Sequence, residues 1–460
     1  MTQPISPRLI SEFEAIVGTH RCLFAPEDSI AYSFDLFARC RPDLVLLPET
    51  SQEVSRIMAL AHENAIPVTP RGAGTSLTGG PVPVQGGIVM AMTRMNQILE
   101  ISRDNRLARV QAGVVTADLQ AAVQKKGLFY PPNPTSADYC TIGGNMGTNA
   151  GGASGVKYGV TRDYVLGLTA VLADGRILKT GGQCIKSVTG FDFKHALCGS
   201  EGLMAVITEV TLRLIPAPRA VATSLAYFSD IPGAARAVAA IIQEGLVPST
   251  MELMDDGFLT AVTQVYSLVF PKGAGAALLM ELDGEPETLE SQTRRLETIC
   301  TDHNAIRFEQ ARDEAQRQTL WQARRGGTAA LVRNAKFLQT LDFSVPVAAM
   351  AHAIQGIQKI TETHGLNMVL IGHAGDGNLH PMFIYDPDDS TQKTAFETAE
   401  REMCTFILEM DGTLSGEHGI GLEKAAFLSH ELGEVEMDLG RNLKKLLDPK
   451  GILNPGKCGF

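Results

Sequence analysis

Ile142-Gly-Gly-Asn-Met-Gly-Thr-Asn-Ala-Gly-Gly-Ala-Ser-Gly-Val-Lys-Tyr-Gly159 holds seven glycines and two asparagines among eighteen residues, with almost no side chain able to fill a core. A segment so poor in side chains loses much conformational entropy on ordering unless something large packs against its backbone. Apolar strands bound it closely on both sides, which argues against a disordered linker. A flat cofactor with polar edges is a partner of the right kind. Earlier in the chain, Pro70-Arg-Gly-Ala-Gly-Thr-Ser-Leu-Thr-Gly-Gly80 directly follows a strand-like run. Its glycines let the backbone turn sharply and gather N–H groups around an anion, and Thr75 and Ser76 add hydroxyl donors. A diphosphate is the natural guest, although by itself this loop reads equally as a wide turn. It is not the dinucleotide fingerprint G-x-G-x-x-G, because Leu77 occupies the third glycine position, and no P-loop is present.

The 460 residues exceed what one hydrophobic core organises, so two or three domains are expected. At 44% hydrophobic and 20% charged residues, disorder is excluded as the main character. The formal charge of −11 argues against a nucleic-acid partner. Residues 1–8 show no apolar signal region, and no run approaches the roughly 18 apolar residues of a membrane span. Cysteines stand at 22, 40, 140, 184, 198, 300, 404 and 458, none close enough to another for a C-x-x-C metal or cluster site. Reduced thiols and a cytoplasmic location are expected, with peripheral attachment to the inner face of the membrane as the alternative.

The fold class expected is α+β. Leu44–Leu47 reads as a buried strand, Ser51 as the N-cap of a helix bearing Val54, Ile57, Met58 and Ala61, and Ile66–Thr69 as the next strand, together a βαβ unit. Ala108–Val110, a helix over 116–126, and strands Leu166–Leu172 and Ala205–Leu214 follow. Pro216-Ala-Pro218 is a natural boundary. Beyond it, candidate strands at 221–228, 275–282, 366–372 and 379–385 alternate with amphipathic helices at 286–301, 311–334 and 346–364, read as an antiparallel sheet with helices on one face. The expected domains are 1–217, 218–410 and a short helical C-terminal segment, 411–460, that completes the active site.

Near the C-terminus, Val369-Leu-Ile-Gly-His-Ala-Gly-Asp-Gly-Asn-Leu-His380 is a hairpin pattern whose glycine-rich turn brings His373 and His380 together. Either histidine alone would read as an ordinary core residue. With Gly416-Glu-His-Gly-Ile-Gly421 they make a different set: two imidazoles and the Glu417 carboxylate suit a borderline divalent cation with open positions for substrate.

In order and spacing, the two glycine loops resemble those of vanillyl-alcohol-oxidase-type flavoproteins with a PCMH-type FAD domain. Lys186-Ser-Val-Thr-Gly-Phe-Asp192 and Gly199-Ser-Glu-Gly-Leu-Met-Ala-Val-Ile-Thr208 are similar to later FAD-contacting stretches of that family. The resemblance implies a two-part FAD-binding domain and a substrate (cap) domain. It also implies cofactor contacts at Arg71, Gly72, Ala73, Gly74, Thr75 and Ser76; at Gly143, Gly144, Gly147, Thr148, Asn149, Gly152, Tyr158 and Gly159; and at Ile207 and Asn454. The first loop carries no His or Cys for a covalent flavin link. Cys140, just before the second, is the one alternative to non-covalent FAD and reads more simply as a buried thiol.

His373, His380, Ser415-Gly-Glu-His-Gly-Ile-Gly421 and Leu453-Asn-Pro-Gly-Lys457 resemble the D-2-hydroxyacid dehydrogenase branch, which includes the D component of glycolate oxidase, D-lactate dehydrogenase and D-2-hydroxyglutarate dehydrogenase. That resemblance spans about residues 40–457. It implies zinc or manganese on His373, His380 and Glu417, His418 as general base in contact with substrate, and hydride transfer from C2 to flavin N5. In Trp321-Gln-Ala-Arg-Arg-Gly-Gly-Thr328, Arg324 and Thr328 are i,i+4 neighbours on a helix. The family holds the substrate carboxylate with an Arg and a Thr at this spacing, and Arg325 replaces Arg324 if the register slips by one.

Two departures bear on substrate size. Gln339 and Thr340 stand where the hydroxyglutarate enzymes have a lysine, and Met382 where they have an asparagine, so a distal carboxylate would be poorly paired. D-lactate or glycolate is favoured, with D-2-hydroxyglutarate or a flavin subunit of a larger complex as alternatives; Lys336 lies near enough in sequence to weigh against the inference. A flavin-using alkyl-dihydroxyacetone-phosphate synthase is the competing enzyme class, and no phosphate-binding basic set supports it. With no nicotinamide motif, electrons are expected to leave to a quinone, an iron–sulfur subunit or an electron-transfer flavoprotein. A homodimer is compatible with these features and not required by them.

Overall fold

The computed structural model describes residues 5–266, 269–333 and 335–460. The expected first domain therefore begins, and the expected helix 311–334 ends, on residues outside this set. The chain forms two compact units. One contains 1–151, 160–217 and 417–460; the other contains 152–159 and 218–416.

In the first unit, Leu44–Leu46 leads through helix Ser51–Glu63 to Val68–Arg71. The helix cap is Thr50, not Ser51: the Thr50 hydroxyl accepts from Glu53 N at 3.1 Å, while Ser51 turns inward and hydrogen-bonds Thr208 Oγ1. The two strands are not neighbours, because Ile88–Ala91 inserts between them and pairs parallel to both. Leu44, Leu46, Ile57, Met58, Val68, Ile88 and Met90 close one core. A second, antiparallel sheet runs in the order Ile98–Ser102, Leu107–Gln111, Val206–Arg213, Val165–Val171, Ile177–Gly181. The end of the chain returns to the first sheet, where Val68 N donates to Ile452 O and Asn454 N to Val68 O.

The second glycine-rich segment is not wholly a loop. Ile142–Thr148 is helical, with the Thr141 hydroxyl accepting from Gly144 N as N-cap and Asn149 ending it at φ 54°. Capping and the neighbouring sheet outweigh the poor helix propensity of its glycines.

The second unit is built on an antiparallel sheet in the order Arg307–Gln310, Ala220–Phe228, Ala276–Gly284, Thr250–Asp255, Asn367–His373, Asn378–Tyr385, Phe337–Thr340, with Phe343–Ser344 also paired to Asn378–Tyr385. Leu225, Tyr227, Leu279, Val369, Ile371 and Met382 share one face and pack against Phe258, Leu259, Val262 and Trp321 of helices Asp256–Tyr266 and Glu314–Val332. The alternate residues Ala226, Phe228, Leu253, Leu278 and Met280 are buried as well, with helices Ile231–Gln243 and Pro286–Asp302 against their strands. The antiparallel sheet is the one expected, but its cover lies on two faces rather than one. Strands such as Ala276–Gly284, apolar almost continuously, require that.

Lys457 is wholly buried in the first unit, its ammonium donating to Val82 O at 2.6 Å and Asn454 Oδ1 at 3.3 Å. Burial lowers its pKa to about 8. A folded-state pKa below that of the unfolded chain places the full cost of burial below that pH and removes it as pH rises toward the ordinary lysine value. In denaturant titrations, the native chain should gain on Lys457→Met between about pH 8 and about pH 10, by on the order of 2 kcal/mol. A difference constant over that range would contradict a buried, charged Lys457.

Candidate functional site

One face of the second unit's sheet changes from apolar to polar along its strands. Met254, Val369 and Ile371 are followed on that face by Glu252 and His373, which pair directly across neighbouring strands. His380 pairs with Ile371, so the hairpin register puts it on the same face as His373. The two rings stand edge to face with centroids 5.2 Å apart, and a nitrogen of each lies within 4.8 Å of one of the other. His373 ends its strand and His380 is third in the next, as the hairpin pattern predicts.

Two carboxylates flank these rings. Glu252, only 1% exposed, takes His373 Nδ1 at 2.5 Å with one oxygen and Arg324 Nη2 at 2.6 Å with the other. Burial disfavours its charge, but His373 and Arg324 outweigh burial and hold the carboxyl below its usual range. An ionised carboxylate only accepts, so His373 carries its proton on Nδ1. Asp342, wholly buried, accepts from Asn378 Nδ2 and Ser415 Oγ, each at 2.7 Å, and lies 3.6 Å from His380 Nδ1.

Arg324 is the inward arginine: it is 5% exposed and lies over the Phe258 ring, while Arg325 is exposed and rests on Trp321. The helical register therefore turns Arg324 inward and Arg325 outward. Arg324 Nε is buried with no hydrogen-bond partner among the described residues, and Thr328 follows one turn later, half-buried. Lys336 is tied to Asp386 at the surface, and Met382 is buried in the apolar cluster opposite Thr340.

In the first unit the two glycine segments meet. A Cβ on Gly72 would lie 2.4 Å from Thr141 Oγ1, so only glycine permits this approach. Ala73 and Thr141, with Val114, Val115 and Tyr139, line a cavity of about 410 Å³. The N–H groups of Ala73, Gly74, Thr75 and Ser76 donate to no other described residue, leaving a backbone cradle suited to a diphosphate. The Arg71 guanidinium lies against Gly74, where a Cβ would collide with it, and donates to Phe34 O at 2.9 Å and Ala31 O at 3.3 Å. Gly143 N bonds Ala112 O, Gly147 O accepts from Glu201 N, and Asn149 Oδ1 accepts from Arg162 N beyond Thr148. Ile207 lies on the central strand beside Ala170, and Asn454 Nδ2 bonds Gly80 O and Glu201 O.

Gly152, Tyr158 and Gly159 belong to the second unit. There the Tyr158 hydroxyl donates to Asp283 Oδ2 at 2.7 Å, and Lys157 pairs with the same carboxylate. Glu417 belongs to the first unit, where a Cβ on Gly151 would lie 3.4 Å from its Oε2. Next to it, the His418 carbonyl stands 3.5 Å from Thr78 Oγ1. The Cys140 thiol is buried against Thr116 Oγ1.

Sequence reading missed Glu252, Asp342, Glu201 and Asp283. The one available signal was a single acid at an inward position of an apolar strand, as in Thr250-Met-Glu-Leu-Met-Asp255. Glu252→Gln should lower stability by about 3 kcal/mol, because Arg324 is left as an uncompensated buried charge. The double variant Glu252→Gln/Arg324→Met should recover most of that loss in urea titrations. Additive losses would show that the pair does not interact.

Two family patterns match the chain: "FAD binding domain" over residues 42–181 and "FAD linked oxidases, C-terminal domain" over 217–458. Glycolate oxidase subunit GlcD of Bacillus subtilis (strain 168) is 40% identical over 430 residues, covering 93% of this chain and 92% of that protein. D-lactate dehydrogenase of Anaerostipes hadrus is 33% identical over 473 residues, covering 99% and 98%. Among solved structures, p-cresol methylhydroxylase superposes with a TM-score of 0.83 at 16% identity, covering 100% of this chain and 98% of that one. Alkyldihydroxyacetonephosphate synthase gives 0.75 at 20% identity, covering 99% and 86%. At such identities these two share the fold alone. The two family matches, together with these relatives, show that the chain belongs to the FAD-linked D-2-hydroxyacid dehydrogenase family and is an FAD-linked oxidoreductase.

Proposed function

We propose that this chain oxidises a small D-2-hydroxy acid, D-lactate or glycolate, to the 2-oxo acid, with non-covalent FAD and a divalent cation, zinc or manganese, held by His373, His380 and Glu417. The observation that carries the reading is the His373–His380 pair on one sheet face, with Glu252 accepting from His373 Nδ1. That bond fixes the tautomer that keeps the Nε2 lone pair for a metal, and Asp342 lies 3.6 Å from His380 Nδ1. Two imidazoles and a carboxylate are a donor set that zinc and manganese accept. Bound there, the flavin would supply the acceptor for the C2 hydride and the cation a Lewis acid for the substrate hydroxyl.

The chain's own residues do the rest. His418 takes the hydroxyl proton as general base. Arg324 offers a buried N–H without a partner among the described residues to the substrate carboxylate, and Thr328 adds a hydroxyl on the same helical face. Met382 and the engagement of Lys336 with Asp386 support a monocarboxylate, since neither provides a cation for a second carboxylate. The names of the relatives support this substrate class. A relative named as a subunit also supports a protein acceptor, an iron–sulfur subunit or electron-transfer flavoprotein, with a quinone as the other candidate. Among the described residues no helix is long and apolar enough to cross a membrane.

Anaerobic mixing of the flavin-loaded protein with D-lactate or glycolate should bleach the flavin band, whereas L-lactate and D-2-hydroxyglutarate should leave it largely oxidised. Chelation should abolish bleaching, and Zn2+ or Mn2+ should restore it. His418→Asn should retain FAD and slow bleaching by roughly 100-fold or more. Reduction by L-lactate alone, or reduction indifferent to chelator, overturns the proposal.

A further inference from the structure

We propose that Glu201 is a positioning residue for proton abstraction, fixing the loop that carries His418; this rests on His418 being the base. Glu201 itself sits at φ +46°, a left-handed conformation that a non-glycine residue keeps only when its surroundings enforce it. Two contacts enforce it. Its N–H donates to Gly147 O at 2.8 Å, and its carbonyl accepts from Asn454 Nδ2 at 2.7 Å.

The carboxylate is thereby aimed at the backbone just after His418. It accepts from Ile420 N at 2.7 Å and from Gly421 N at 3.0 Å. Its two oxygens accept from consecutive amides, which partly offset the rise in its pKa that burial causes. Gly419, at φ +89°, passes so close that a Cβ there would lie 2.9 Å from Glu201 Oε1. From the other side, Thr78 O accepts from Leu422 N at 2.7 Å, and Gly421 O accepts from Cys458 N at 2.8 Å. Residues 419–422 are thus clamped between Glu201 and the end of the first glycine loop. His418 is the residue at which that clamped backbone begins. The backbone of the same glutamate touches the second glycine segment through Gly147 and the first through Asn454, which also bonds Gly80 O, so a single residue sets the base against both parts of the flavin cradle.

The test compares Glu201→Gln with the native holoenzyme in anaerobic flavin reduction by D-lactate. Glutamine keeps one acceptor oxygen but turns an NH2 toward an amide that needs an acceptor. The variant should hold stoichiometric FAD with a native flavin spectrum and keep KM within about threefold, while the reduction rate falls 10- to 100-fold. Gly419→Ala disturbs the contact from the loop's side and should show the same split if Glu201→Gln loses its flavin. The double variant His418→Asn/Glu201→Gln should be no slower than His418→Asn, because Glu201 acts through that histidine. Loss of FAD with an unchanged rate per bound flavin in both single variants, or multiplicative losses in the double variant, overturns the proposal. A native rate in His418→Asn instead overturns the assignment of the base, and with it the reading on which this inference rests.

Discussion

A single buried glutamate organises the polar end of the second unit. Glu252 accepts from His373 with one oxygen and pairs with Arg324 through the other, joining a sheet strand, a hairpin and a long helix. A carboxylate so deeply buried is unfavourable unless opposite charge and hydrogen bonds surround it. The same bonds that make its burial tolerable fix the orientation of a histidine and an arginine. Orientation of this kind is what a site for a cation and an anionic substrate needs, because both ligand groups are placed before any ligand arrives.

The first unit solves a different problem. A dinucleotide-sized cofactor with a diphosphate needs backbone amides near it, and side chains would stand in the way. Gly72 against Thr141, and the unengaged amides from Ala73 to Ser76, supply that surface. Glu201 then links both glycine segments to the loop after His418, so the backbone proposed to cradle the cofactor also holds the candidate base.

The fold does not choose the chemistry. p-Cresol methylhydroxylase and alkyldihydroxyacetonephosphate synthase share this architecture at low identity, and their names describe different reactions. The chemistry therefore has to be argued from Glu252, Arg324, His373, His380, Glu417 and His418.

The glycine loops, the hairpin histidines and the helix bearing Arg324 were legible in the sequence because each depends on local rules: turn chemistry, strand alternation and helical spacing. The same rules failed at 142–148, where Thr141 and the neighbouring sheet make a helix of a glycine-rich run, and at the sheet, whose second helical cover follows from burial on both faces. Which of two adjacent arginines turns inward was settled only by the helix's packing against Phe258 and Glu252. Glu252, Asp342 and Glu201 were invisible for a common reason. Each is one carboxylate whose partners lie scores of residues away, and a contact across that separation is fixed by strand register and burial rather than by any pattern along the chain.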